Sequence, residues 1–516
     1  MVKKGSLLLL ILFVLGSLMQ SCVKSKRPGL PQEVVEVIDA SGINRTEFLK
    51  ALVRYRSDGD SIKRRALYYL ISNMSGHYYV RCHLADTSGN RVPLVFDRIA
   101  DHQAFLEYEN LLRQQNRFVV INDSFFLDID HITSRLLINT VDSSFDVWAK
   151  PPFEGKHYVF RDYCRYILPY RVDNEPAEEY RTFFKHLYGD KIEKFTEEER
   201  DLVSLTGYIH ILVDDDLHYD RCYDPDCSLP TLKELLNRGK GNRRQLAVFK
   251  IKAFRTYGIA AAMDYTPYFA DRSGGSFWPV VFLPDGTFLP VLSNGHTVEE
   301  LTVCGKTAKV FRRTFEEDTS SLYRKKPLNL PTPPFLGNFD YVDVTEQYVP
   351  VVDVKTDFSD TARFVYLAVF NNGEWRAVFW SEQEGDSTAV FNKMGIEAVY
   401  LPVVMKGEKP IPAGSPFLLT KTGRTDFGCE NERLSHVALV RINKFERLRP
   451  GMVYHLYHWK EKGWKKVGDY NSGGQALVKT SLFQGCLYLI SEKNNPDGFR
   501  QERIFTVSKS GRQIFY

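Results

Sequence analysis

The spacing of apolar residues predicts a helical first part of the chain. Ile62, Ala66 and Leu70 recur at four-residue intervals, which places them on one face of an α-helix. Asn44 and Glu47 have the spacing of a capping box, in which each residue accepts a hydrogen bond from the backbone of the other at a helix start. We therefore expect helices packed through apolar faces up to about residue 150.

The middle part, residues 151–325, mixes helix and strand patterns. Two helices are expected at Thr231–Asn237 and Gln245–Tyr257, and Gly258 ends the second one. Two alternating apolar runs follow at Phe277–Phe282 and Thr287–Leu292, separated by the turn residues Pro-Asp-Gly. This order predicts a buried helix followed by a pair of antiparallel strands.

The last part reads as strands and contains an internal similarity. The proline-rich stretch KKPLNLPTPPF separates it from the middle part, because proline fixes φ and removes a backbone donor. Trp375 and Trp464 each follow a hairpin turn, and Tyr400 and Tyr488 each lie in a later strand. The number of residues between the two tryptophans is nearly the same as the number between the two tyrosines. We therefore expect two tandem β modules, a β-sandwich at 340–435 and a smaller one at 436–516.

The N-terminus has the pattern of a bacterial lipoprotein signal. Lys3 and Lys4 precede an apolar stretch that is too short to span a membrane, and Cys22 follows it. The resemblance implies removal of residues 1–21 and acylation of Cys22, which leaves 22–150 as the helical N-terminal region of the mature chain. Bacteroidetes lipoproteins that are exported to the cell surface tend to have an acidic run after the cysteine, whereas VKSKR follows Cys22 here. The resemblance therefore favours an outer-membrane anchor facing the periplasm, with the membrane as a partner through the lipid. An ordinary cleaved signal with an incidental cysteine is the alternative.

Composition narrows the classes of partner. Hydrophobic residues make up 43% of the chain, which is enough for several folded cores. The formal net charge is +4 and no long basic run contains aromatic residues, so a nucleic-acid partner is not expected.

Cys222 and Cys227 are the likeliest disulfide, because an Asp-Pro-Asp turn separates them. With only His210 and His218 nearby, neither a metal nor another cofactor is expected.

Four motifs of the middle part resemble the bacterial transglutaminase-like superfamily, whose fold is papain-like. The family core reads G-x-G-x-C, R-x-x-G-I-P-A, H-x-W and W-x-P-x-D. The matching stretches here are Gly239–Arg243, Arg255–Ala261, Ser276–Trp278 and Phe288–Leu292. Flanking segments, among them NRTEFLKALVRY and CRYILPYRVDNEP, resemble a Bacteroidetes lipoprotein subfamily. The resemblance implies an α+β multidomain chain with a papain-like core over 151–325.

The residues at the family's catalytic positions predict a loss of catalysis. Arg243 stands at the position of the nucleophilic cysteine, Ser276 at that of the histidine base, and Leu292 at that of the orienting carboxylate. An arginine is not deprotonated to a nucleophile, a serine is no proton acceptor near neutral pH, and a leucine orients nothing. We therefore expect an inactive domain that binds or scaffolds a peptide, glycopeptide or glycan.

The expected ligand-binding residues lie around this vacated site. Lys240 and Arg243 at a helix N-terminus are candidates for an anion site. The alternatives are a solvated first turn that binds no ligand, or a pairing of Asp264 with Arg243. Tyr268 and Trp278 are candidates for stacking on a sugar or bracketing a peptide.

Two other functions stay open. One is an active cysteine hydrolase with a relocated nucleophile, Cys227, served by His210 or His218. The other is a purely structural envelope protein that binds no ligand.

Overall fold

A computed structural model describes residues 29–85, 91–92, 119–220, 229–292, 306–327, 330–358, 362–383, 387–493 and 502–516. The signal region, Cys22 and the Cys222–Cys227 pair lie outside these residues. The chain divides into two compact units, one formed by residues 29–77 with 127–138 and the other by the rest. Both helices and many strands are present, so the expected α+β class is confirmed. Within the described ranges, no helix has the length and apolar character needed to cross a bilayer.

The helices concentrate in the first half of the chain. Phe160–Asp162 continues as a π-helical turn over Tyr163–Ile167. In chain order the α-helices are α1 (Gln32–Ala40), α2 (Arg45–Arg54), α3 (Ser61–Ser72), α4 (Asp128–His131), α5 (Ser134–Ala149), α6 (Phe160–Asp162), α7 (Tyr180–Glu198), α8 (Leu202–Asp216), α9 (Leu232–Arg238), α10 (Arg243–Thr256) and α11 (Leu322–Lys325).

The capping box expected at the start of α2 is absent. Asn44 makes no capping hydrogen bond, and its side-chain amide donates to the carbonyl oxygens of Ile129 and Ile132. Glu47 instead accepts hydrogen bonds from the backbone N–H and the hydroxyl of Ser134, the first residue of α5, at 2.8 and 2.7 Å. Both side chains thus join segments that are far apart in sequence.

Strands occupy part of the range in which helices were expected. They are β1 (Tyr78–Ala85), β2 (Arg91–Val92) and β3 (Val119–Leu127), in the order β2-β1-β3. The ring of Tyr79 on β1 stacks on that of Phe126 on β3, with centroids 4.7 Å apart. Aromatic and β-branched residues at these positions favour a pleated surface over a helix. The helical expectation for residues 78–127 was therefore wrong where the structure describes them.

The middle part forms one antiparallel sheet against the buried helix α10. Its strand order is β10-β9-β6-β7-β8, and a separate short parallel pair joins β4 to β5. The strands are β4 (His218–Tyr219), β5 (Lys240–Gly241), β6 (Ala261–Thr266), β7 (Ser276–Phe282), β8 (Phe288–Pro290), β9 (Phe311–Arg313) and β10 (Tyr341–Asp343). The expected order of helix and then antiparallel strands is therefore present.

The last part contains two sets of strands with the same connectivity. In the first set β11 pairs with β14, and the main sheet runs β13-β12-β15-β17-β18 with β16 beside β15. In the second set β19 pairs with β22, and the main sheet runs β21-β20-β23-β24-β25. The strands are β11 (Val351–Asp357), β12 (Phe364–Asn371), β13 (Glu374–Glu382), β14 (Thr388–Gly395), β15 (Ala398–Lys406), β16 (Lys409–Pro412), β17 (Phe417–Thr420), β18 (Gly423–Asp426), β19 (Glu430–Leu439), β20 (Val453–Lys460), β21 (Gly463–Asn471), β22 (Val478–Gln484), β23 (Tyr488–Glu492), β24 (Phe505–Val507) and β25 (Gln513–Phe515).

Matching irregularities support a structural repeat. The β12–β13 register shifts after Leu367, and the β20–β21 register shifts after Leu456, the corresponding position in the second set. The hydroxyl of Tyr400 donates to the carbonyl oxygen five residues earlier, and that of Tyr488 does the same. Since β19 begins at Glu430 and pairs within the second set, the second set starts a few residues before position 436.

Candidate functional site

Arg243 is the first residue of α10, as the motif spacing predicts. Asn242 precedes it as the helix cap, and Asn242 and Gln245 form a capping box. From Gln245 to Thr256 every residue of the helix is buried, whereas Arg243 itself is exposed. The helix therefore presents its N-terminal end, with its positive dipole end, at the protein surface.

The Arg243 guanidinium contacts a second position of the family motif. Its Nη1 donates a hydrogen bond to Ser276 Oγ at 3.1 Å, and Ser276 is the buried first residue of β7. The fold thus brings together the two positions at which the motif resemblance expects a nucleophile and a base. Neither of them supplies a thiolate or an imidazole.

Tyr219 is a member of this site that the sequence did not single out. The Arg243 guanidinium carbon lies 5.2 Å from the centroid of its ring, which is a cation–π distance. The parallel pairing of β4 with β5, with Tyr219 opposite Gly241, holds the ring there. A two-residue strand paired across some twenty residues leaves no local pattern from which this contact could be predicted.

Lys240 is engaged in an ion pair. Its Nζ lies 3.3 Å from Asp220 Oδ2. The Lys240 charge is thus balanced within the protein, in contrast to its expected role in an anion site. Among the described residues, no carboxylate oxygen lies within 4.0 Å of an Arg243 nitrogen, so Arg243 is the cation left for a ligand.

Asp264 pairs with Arg312 in the protein interior and does not pair with Arg243. The Arg312 Nε and Nη2 donate to the two Asp264 oxygens, both at 2.8 Å, and Tyr348 Oη donates to Oδ2 at 2.6 Å. The Trp278 Nε1 in turn donates to Tyr348 Oη at 3.1 Å. Burial and the adjacent Asp264 carboxylate raise the pKa of Tyr348 above its ordinary value. Asp264 is fully buried and Trp278 nearly so, which removes both from the expected ligand surface.

Arg244 belongs to a separate structural network. Its Nε donates to Asp173 Oδ2 at 2.6 Å, and Arg313 Nη2 donates to the other oxygen at 2.6 Å. Burial alone would raise the pKa of Asp173, but the guanidinium groups of Arg244 and Arg313 lower it below its ordinary value. Neighbouring arginines on one helix turn therefore have different surroundings, since Arg244 is held by a buried carboxylate and Arg243 by a hydroxyl and a ring.

The remaining expected site residues lie in apolar surroundings. Extending the β7–β8 register beyond Val280 and Pro290 places Leu292 opposite Trp278, and Leu292 packs on the apolar cluster of Trp278, Val310 and Val344. Tyr268 packs edge-on against the ring of Phe335, with centroids 5.7 Å apart. Both therefore contribute to packing.

The structure brings no thiol to a relocated catalytic site in the part it describes. Cys164 is free and buried, and Cys429 and Cys486 form a disulfide. His210 contacts Lys250 Nζ through Nδ1 at 3.0 Å and Asp214 through Nε2 at 3.3 Å. The expected partner Cys227 lies outside the described residues.

Comparison with known proteins gives a distant likeness to a solved structure. No protein-family model matches the chain, and no curated protein matches it. The crystal structure of red sea bream transglutaminase is similar over 69% of this chain and 72% of that chain, with 11% sequence identity and a TM-score of 0.21. A TM-score this low does not define a common fold, so the likeness decides neither fold nor activity.

Proposed function

We propose that this chain is a lipid-anchored envelope protein whose transglutaminase-like domain has lost catalysis and binds a carboxylate-bearing peptide or glycan at Arg243. The proposed anchor is the acylated Cys22, at the outer membrane facing the periplasm. The proposal rests on the surroundings of the Arg243 guanidinium. It is exposed, positioned by Ser276 and Tyr219, and has no carboxylate partner among the described residues.

The physical chemistry of the site favours an anion. A guanidinium offers two parallel N–H donors to a carboxylate, and the helix N-terminus adds favourable partial charge. The hydroxyl of Ser276 and the ring of Tyr219 restrict the guanidinium before binding, which lowers the entropy lost when the ligand binds. A peptide or glycan carboxylate would replace the water that otherwise solvates the remaining N–H groups.

The same residues support the proposed loss of catalysis. Acyl transfer by a thiol enzyme needs a nucleophile, a base within hydrogen-bonding distance and a group that orients the base. The three equivalent positions hold a guanidinium, a hydroxyl and an apolar side chain packed on Trp278. Asp264, the expected alternative partner of Arg243, accepts hydrogen bonds from Arg312 and Tyr348.

Binding of a tripeptide with a free or an amidated C-terminus, measured by calorimetry on the purified protein, tests the proposal. N-acetyl-trialanine should bind the wild type, and its C-terminal amide should bind at least about tenfold more weakly, equivalent to about 1.4 kcal/mol. Arg243→Ala should abolish this difference, because the charge that distinguishes the two peptides is gone.

Arg161→Ala is the matched control, since it removes one exposed arginine charge far along the sequence from Arg243. It should retain the preference for the free carboxylate. A specific site at Arg243 would be contradicted if the wild type bound both peptides equally. It would also be contradicted if Arg243→Ala and Arg161→Ala lost the preference for the free carboxylate to the same extent.

A further inference from the structure

Three potential metal ligands meet in the second β set, away in sequence from Arg243. The Cys429 and Cys486 sulfurs and a ring nitrogen of His458 all lie within 4.8 Å of one another. The two cysteines form a disulfide with Cα atoms 4.4 Å apart and 57 residues of sequence separation. Two sulfurs and an imidazole are a ligand set that suits zinc.

The strands hold His458 beside the disulfide. His458 on β20 is the register partner of Tyr488 on β23, two residues after Cys486. Beyond that pair, Trp459 N–H donates to Leu487 O at 2.8 Å, which fixes the turn containing Cys486 against β20. The His458 ring also stacks on that of Tyr488, with an interplanar angle of 21°. The imidazole orientation is therefore set by the sheet.

The cluster is accessible and its imidazole is not otherwise occupied. Cys429 is exposed, His458 is partly buried and Cys486 is buried. Within the described part of the chain, neither ring nitrogen of His458 makes a hydrogen bond. An ion can thus approach from the Cys429 side and meet a ligand that does not first have to lose a protein partner.

We propose that reduction of the Cys429–Cys486 disulfide converts this cluster into a zinc site with two thiolates, one imidazole and a fourth position open to water or an exogenous ligand. A dithiol reductant supplies two electrons and two protons, so the S–S bond breaks, each cysteine becomes a thiol, and the reductant becomes a disulfide. Zinc then binds both sulfurs and displaces the two thiol protons. In the disulfide form the sulfurs carry no thiolate charge, and no such site exists.

This proposal does not rest on the function proposed for Arg243. The cluster is built from β20, the turn before β23 and the residue before β19. Its consequence is a metal site that is present only when the local redox state allows it. The open fourth position distinguishes it from a closed structural zinc site, which has four protein ligands.

Zinc titration of the purified protein, oxidised and after phosphine reduction and removal of the reductant, tests the proposal. The reduced protein should bind about one zinc per chain against a chromophoric chelator, and the oxidised protein should bind none at this site. Cobalt added to the reduced protein should give a thiolate-to-cobalt charge-transfer band. His458→Gln keeps both cysteines and should weaken zinc binding by at least about tenfold, since even outer-shell changes cost that much.

His455→Gln is the matched control, because His455 lies on the same strand and pairs with Asp469 outside the cluster. It should bind zinc as the wild type does. Circular dichroism before and after reduction reports whether the fold is retained. A disulfide that reduction leaves intact unless the chain unfolds would overturn the proposal. Equal zinc binding by oxidised and reduced protein, or by His458→Gln and wild type, would overturn it as well.

Discussion

At the scale of single residues, the environment of a charge decides its role. Asp264 has partners that the linear order of the chain does not indicate, and so does Arg243 in the case of Tyr219. Asp264 is fully buried with two arginine nitrogens and a tyrosine hydroxyl on its carboxylate. Arg243 is exposed, and within the described residues its guanidinium contacts a hydroxyl and an aromatic ring. The buried carboxylate is therefore structural, and the exposed guanidinium is the group that can meet a ligand.

Asp264→Asn should destabilise the protein by about 3–5 kcal/mol, because it leaves the Arg312 guanidinium buried without a counter-charge. Urea unfolding followed by circular dichroism measures the change. Glu382→Gln, in the exposed pair with Arg363, should cost less than about 1 kcal/mol. Similar decreases in the free energy of unfolding of the two variants would show that the buried Asp264–Arg312 pair contributes no more stability than the exposed pair.

At the scale of elements, helix starts are completed by residues from elsewhere in the chain. Helix α10 is capped locally by Asn242 and Gln245, as a short-range pattern would suggest. Helix α5 is capped locally by Thr133, whose hydroxyl accepts from Leu136 N–H, and also by Glu47 of α2, through both the backbone and the hydroxyl of Ser134. A capping residue can therefore lie many positions away from the helix that it stabilises.

Glu47→Gln should destabilise the protein by about 1 kcal/mol at neutral pH, because an amide oxygen accepts the hydrogen bonds from Ser134 less strongly than a carboxylate does. Hydrogen bonds from Lys50 and then from Ser134 lower the pKa of Glu47 from 4.5 to about 2 in the folded protein. Since the folded pKa is the lower one, this stabilisation is complete above pH 4.5 and disappears as the pH falls towards 2.

Urea unfolding of wild type and Glu47→Gln at several pH values measures this dependence. The difference in the free energy of unfolding should be constant above about pH 5 and should shrink below it. A difference that persists unchanged at pH 2.5 would mean that the Glu47 charge is not its source.

At the scale of the whole second unit, the β sets and the sheet of the middle part share one apolar core. A single cluster of buried residues includes Tyr265 from β6, Trp375 from the first β set and Leu489 from the second. The Arg503 guanidinium joins the same three regions. It donates to the carbonyl oxygens of Ala270 and Phe370 and, through Nε at 3.0 Å, to that of Tyr516. The repeats therefore differ from independent modules joined by a linker.

Arg503→Met should destabilise the protein by at least about 3 kcal/mol, since two buried carbonyl oxygens and the part-buried Tyr516 oxygen would each lose a donor. Tryptophan fluorescence during urea unfolding is the measurement, because Trp375, Trp459 and Trp464 contact the shared core. Arg512→Met, an exposed residue of the same β set, should leave the transition unchanged. An unaltered transition in Arg503→Met would show that these bonds do not join the β sets.

The sequence by itself determined the features that depend on local spacing. The helix predicted at Gln245–Tyr257 and the strand predicted at Phe277–Phe282 from periodicity and turn residues begin in the structure at Arg243 and Ser276, within two positions of the expected starts. The repeat was visible because Trp375 and Trp464 occupy equivalent places after equivalent hairpin turns. Such signals are short-range, and the backbone geometry that they specify is largely independent of the rest of the chain.

Only the tertiary structure decided which side chains meet. The Asp264–Arg312 pair, the Glu47 cap on α5 and the Cys429–Cys486 disulfide all join residues separated by tens of positions. The chain has many charged residues and several cysteines, and the local sequence pattern does not show which of them pair with one another. Their partners are set by strand order and register, because these determine which side chains approach within a few ångströms of one another.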